Sequence, residues 1–146
     1  MTPSAALTAA IARLNAAGLT ECVSPNGLTD GGSQRLDKGF AIKPKYLKFI
    51  KGRTASTQAG ARVEMGLSIQ IGHVLKPGAG QEAPSQALTD IHEALRYLWT
   101  PDTPLTSGGG AAIYLGNVAT SYQSGGEYLI QGCDIRLVFN LELTAP

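Results

Sequence analysis

From Glu127 to Leu143 the chain alternates: Leu129, Cys133, Ile135, Leu137, Phe139, Leu141 and Leu143 fall on one parity, with Asp134, Arg136, Asn140 and Glu142 between them. A period of two is the mark of a strand that buries one face. Tyr128, Ile130 and Val138 put apolar atoms on the other parity as well, so that face is not simply wet. At about 3.3 Å per residue the stretch would run to roughly 56 Å, too long for a flat strand in a small domain. A bend near Gly132, or an overhang past the edge of the sheet, is therefore expected. Arg62 to Gly72 alternates more cleanly, with Val63, Met65, Leu67, Ile69 and Ile71 on one side and Arg62, Glu64, Gly66, Ser68, Gln70 and Gly72 on the other. This is a second half-buried strand.

Two further strands complete the pattern. Gly39 to Ile42 and Tyr46 to Ile50 read as one strand interrupted at Pro44, whose missing N–H suits an edge or a bulge. It joins the Arg62 strand through Gly52 to Gly60, a polar hairpin tip without a large apolar residue. Ala111 to Ala119 reads as a strand that turns through Ser124-Gly125-Gly126 into the final one. Gly18 to Lys38 lacks periodicity and reads as a long loop, with room for a short edge strand at Glu21 to Val23.

Two segments carry helical spacing. Thr2 is placed to cap a first helix with Pro3 at its first position; Leu7, Ile11 and Leu14 share a face, alanines fill most of the rest, and Gly18 stops it. Pro84 and Ser85 open a second, in which Leu88, Ile91, Leu95, Leu98 and Trp99 form an apolar stripe and Thr100-Pro101 ends the run. Tyr97 projects from the opposite face and is a candidate subunit-interface residue. The order helix, hairpin, helix, hairpin predicts an α+β fold: one antiparallel or mixed sheet of about four strands, with both helices packed on one face.

Composition narrows this to one domain, residues 1–146, of 15.2 kDa with 43% hydrophobic and 16% charged residues. No apolar run reaches the roughly 20 residues of a membrane span, and Met1 to Ala10 has neither the basic region nor the apolar core of a secretory signal. Charge changes the picture more. Residues 1–62 hold nine Lys/Arg against three Asp/Glu, a net +6, and residues 63–146 hold three against eight, a net −5. Lys38, Lys43, Lys45, Lys48, Lys51, Arg53 and Arg62 follow one another without an intervening acid. Such poles suit head-to-tail self-association or an anionic partner. Lys43, Lys45, Lys48, Lys51 and Arg53, interleaved with Tyr46 and Phe49, read either as a solvated edge strand kept from unwanted pairing or as a surface that meets nucleic-acid phosphates without reading bases.

Catalytic and metal chemistry find no foothold in the sequence. His73 and His92 lack a ligand partner at metal-binding spacing, no serine lies in a Gly-x-Ser-x-Gly elbow, and Cys22 and Cys133 read as buried free thiols in a reducing compartment. Gly108-Gly109-Gly110 precedes a strand rather than a helix, so it reads as a loop and not a phosphate cradle. No enzyme activity, cofactor or metal is expected.

The amphipathic N-terminal helix, the segment Lys38-Gly39-Phe40-Ala41-Ile42 with Pro44, the alternating strand Arg62 to Ile71, the helix Ser85 to Trp99 and the terminal strand Asp134 to Leu143 together resemble the tail terminator (tail completion) proteins of long-tailed bacteriophages. That resemblance implies a virion structural protein assembled in the host cytoplasm: a homohexameric ring that caps the tail tube, ends its polymerisation and joins the neck of the capsid. Its partners would be further copies of itself, the tail tube protein, the neck (stopper) protein and, non-specifically, genomic DNA passing through the lumen. On this reading the basic residues from Lys43 to Arg53 face the lumen or a neighbouring subunit, and the second apolar face of the final strand, Tyr128, Ile130 and Val138, reaches a neighbouring copy. Another head-tail connector component, a stopper or head-completion protein, is the alternative, and a small ligand-binding or enzymatic domain a more distant one.

Overall fold

The computed structural model describes residues 2–22, 28, 37–54, 60–75, 82–98, 112–123 and 128–142. The hairpin tip at residues 55–59, Trp99, the Gly108–Gly110 run and most of the loop from Gly18 to Lys38 lie outside the described residues. Helix α1 spans Pro3–Ala16, strand β1 Thr20–Glu21, β2 Gly39–Thr54, β3 Gly60–Val74, helix α2 Glu82–Leu98, β4 Ala112–Gln123 and β5 Tyr128–Glu142. The five strands form one mixed sheet in the order β1-β2-β3-β5-β4. β1 runs parallel to β2 and every other pairing is antiparallel. The α+β class expected from the sequence holds, with one strand more than expected.

Local chemistry sets the ends of α1. The Thr2 hydroxyl accepts the Ala5 N–H at 3.1 Å, with Pro3 next in line as the sequence predicts. Gly18 takes a φ of 90°, and the N–H groups of Gly18 and Leu19 donate to the carbonyls of Asn15 and Leu14. This left-handed turn is what a side chain there would oppose.

The buried faces of both helices differ from the expected stripes. In α1 the fully buried residues are Ala6, Ala10 and Leu14, while Leu7 and Ile11 pack at the margin of the core. In α2 Ala87, Ile91, Ala94 and Leu98 are buried, whereas Leu88 is 60% exposed. The physical reason is distance: alanines against the sheet let a helix approach more closely than leucines do. Underneath lie Phe40, Val63, Leu67, Ile69, Ile71, Ile135, Leu137 and Phe139, the parity that the alternation assigns to the core. Truncating any one of the fully buried leucines here to alanine costs roughly 2–5 kcal/mol in comparable cores.

Polar ties lock the helices to one another and to the sheet. Arg13 of α1 donates to the carbonyls of Tyr97 and Leu98 at 3.3 and 3.2 Å, supplying partners to groups that the end of α2 leaves open. His73, buried on the helix side of β3, approaches Asp90 of α2 with Nε2 at 2.8 Å from Oδ2, and Gln86 donates to the other oxygen at 2.9 Å. Because a carboxylate only accepts, Nε2 carries the proton of that bond. His73 Nδ1 and Gln131 Oε1 are buried with no hydrogen-bond partner among the described residues.

β5 is an interior strand. It pairs with β3 without a register shift from Tyr128–Val74 to Glu142–Gly60, and with β4 on its other side. The expected overhang is thereby corrected, since β3 matches its length. The break in pairing lies in its neighbours instead: β4 shifts between Leu115 and Val118, and β2 bulges between Pro44 and Tyr46, where the proline interrupts the ladder as its missing N–H predicts.

Candidate assembly surfaces

The face of the sheet away from the helices is built on small residues. Gly66 and Gly72 occupy outward positions of β3, and each leaves room for an aromatic side chain: a Cβ on Gly66 would run into the Tyr46 ring, and one on Gly72 into the Tyr128 hydroxyl. Over Gly66, the Tyr46 hydroxyl donates to Glu64 at 2.7 Å. Lys48 reaches the same carboxylate oxygen at 3.1 Å, and Arg136 of β5 stands 3.8 Å from the other one. The Tyr46 hydrogen bond is the largest influence holding the Glu64 carboxyl below its usual range; burial opposes it, and Lys48 and Arg136 assist. The same hydrogen bond, with burial behind it, pushes the Tyr46 phenol above its usual value. Glu64 is thus a charged, hydrogen-bonded hub joining β2, β3 and β5.

Two of the five basic residues of β2 therefore have partners within the chain. Lys48 pairs with Glu64, and Lys45 pairs with Asp134 at 3.0 Å, reaching over the small residues of β3. Both sides of the Lys45 pair are about half exposed, at 49% and 57%, so the pair contributes at most about 1 kcal/mol. Lys43 is exposed and has no ion pair among the described residues. Lys51 and Arg53 lie in β2, with side chains outside the described residues. The basic and acidic halves of the sequence are consequently not two ends of the molecule, because β2 lies beside the acids of β3 and β5.

The subunit-interface candidates separate into two groups. Tyr97 is 39% exposed on α2, facing outward as its helical position predicts. Tyr128, Ile130 and Val138 are covered within the single chain: the first two pack with Cys22, Leu28 and Ala41 in a small second core, and Val138 sits opposite Glu64 in the β3–β5 ladder. None of the three offers free surface.

Among the described residues, both edges of the sheet also offer exposed surface. β1 pairs with β2 at Gly39 and Phe40 alone among the described residues, and residues 43–49 are exposed in an unbroken run. In that run Leu47 is 46% and Phe49 64% exposed. A groove of about 410 Å³ opens beside it, lined by Pro3, Ser4 and Leu7 of α1 and by Pro44 to Leu47 with Met65. At the other edge β4 carries no charged residue, and residues 118–121 are exposed on both sides of the strand. The sequence identified β2 as an edge through its lysines and proline. It did not reveal β4 as the opposite edge, although a strand half made of Ala, Gly, Asn, Ser and Thr and without a charge was the available signal.

Other chemistry is thin among the described residues. No cluster of three or more His, Cys, Asp or Glu could hold a metal ion there. His92 is exposed, and Cys22 and Cys133 are buried. Burial, with Asp134 nearby, pushes the Cys133 thiol up and keeps it a weak nucleophile. No described helix is long and apolar enough to cross a membrane. No protein-family model and no curated protein matches this chain.

Proposed function

We propose that this protein is a ring-forming structural subunit of the tail terminator type, a virion component that caps a phage tail tube and joins it to the neck. The observation that carries this reading is the pair of unlike sheet edges, lysine-rich β2 and uncharged β4. A ring closes only if each subunit offers two different surfaces that fit each other, and two unlike edges on opposite sides of one sheet provide them. The resemblance of the helix–hairpin–helix–hairpin order to tail terminators supplies the identity of the ring, and its stoichiometry of six comes from that resemblance alone. The tail tube protein and the neck protein are the further partners on this reading, and genomic DNA passes through the lumen.

Light scattering of the purified chain, alone and with tail tubes, tests the assembly, and electron microscopy of purified tails tests the place. The expected outcome is a discrete multimer found as a ring at the head-proximal end of the tube. A chain that stays monomeric in the presence of tubes overturns the reading.

A further inference from the structure

The ring reading leaves open how one copy meets the next, and this inference rests on that reading. Within one sheet β2 and β4 run in opposite directions, since β2, β3, β5 and β4 are antiparallel in turn. A second copy placed beside the first with its strands kept in the same sense would bring its β4 antiparallel to the first copy's β2. That is the pairing that is slightly the more stable per residue, as in every neighbouring pair of this sheet except β1–β2.

The faces match as well. Leu47 and Phe49 pair with Met65 and Val63, and Val118 pairs with Cys133, so all three lie on the helix side of the sheet. They are 46%, 64% and 41% exposed. Continuing the sheet from copy to copy sets the exposed apolar residues of one edge beside that of the next.

Charge selects between the alternatives. On the face away from the helices β2 presents Lys43 and Lys48, so two β2 edges meeting would set lysine against lysine. β4, without a charge, is a neutral neighbour for that row. We propose that β4 of one copy adds as an antiparallel strand to the free β2 edge of the next, near Lys43–Phe49, carrying one sheet through the assembly.

Ala119 tests the pairing by the sign of a charge. It is exposed on β4 and pairs with Gly132, which places it on the same face as Lys43 and Lys48. Ala119→Lys is expected to weaken self-association at least about tenfold and Ala119→Glu to preserve or strengthen it, read by light scattering at low salt. Thermal melts of both variants establish that the monomer folds, and adding Lys43→Glu to Ala119→Lys is expected to restore assembly. If both charges weaken association alike, β4 meets another β4 and the proposal fails. If neither changes it, the edge is not the interface and the proposal fails while the ring reading stands. A wild-type chain that remains monomeric with tail tubes present overturns both.

Discussion

Glu64 is a carboxylate held almost out of water by a phenol, a lysine and an arginine, and its charge is part of the fold. Its carboxyl lies below its ordinary value in the folded chain. The unfolded chain therefore binds the proton more readily, and the stabilisation is present above the unfolded value of about 4.3 and lost as pH falls through the folded one. Glu64→Gln is expected to lower the melting temperature at neutral pH and to flatten its decline below about pH 4.3; superimposable melting-temperature curves for the two proteins would refute the role given to this residue. Alternation assigns Glu64 to the wet side, and that much was legible. The network was not, because periodicity says which side a residue faces but not what crosses over to meet it. The clue was the glycine two residues on, since a small residue at an outward strand position leaves room for the Tyr46 ring to lie across β3.

Long alternating runs let the strands be read at the scale of elements, because each repeat of the period adds independent support for the same face. The helices were legible as helices but not in their orientation. Leucines mark the expected stripe of α2, yet Ala87 and Ala94 face the core and Leu88 faces out, since closeness to the sheet is decided by the smallest side chains. How α2 is fastened was also beyond the sequence: its last carbonyls are met by Arg13, far away in the chain. Arg13→Ala removes charge-assisted bonds at the favourable end of the helix dipole, a loss of about 1 kcal/mol or a melting-temperature drop of about 4 °C. An unchanged melting temperature would mean that water replaces the arginine without cost.

For the molecule as a whole, the lesson concerns charge. A count along the chain gives two opposite poles, but folding lays β2 against the acids of β3 and β5, so part of that asymmetry is neutralised within one copy. Neutralisation decides which lysine reports on a lumen. Reversing Lys48 would set two carboxylates together at Glu64, and reversing Lys45 would set one beside Asp134, so either change also alters a contact within the subunit. Lys43 has no such partner among the described residues. If the basic edge lines the passage for DNA, Lys43→Glu phage are expected to assemble complete tails but to eject DNA several-fold more slowly, and ejection at the wild-type rate would remove the lumen from the reading.

The unbroken β3–β5 ladder also bears on how the chain reaches its fold. The 53 residues between Val74 and Tyr128 must be spanned before the first pair of that ladder can form. Pairing at such separation incurs its loop-closure entropy before it gains any contacts, which makes it a slow event. Until β5 docks, β3 presents an apolar face and an open edge, the combination most prone to mispairing during synthesis. β4 has no sheet to belong to until β5 is in place; if copies join through β4 as proposed, that delay keeps an incomplete chain from offering the edge a neighbouring copy would need.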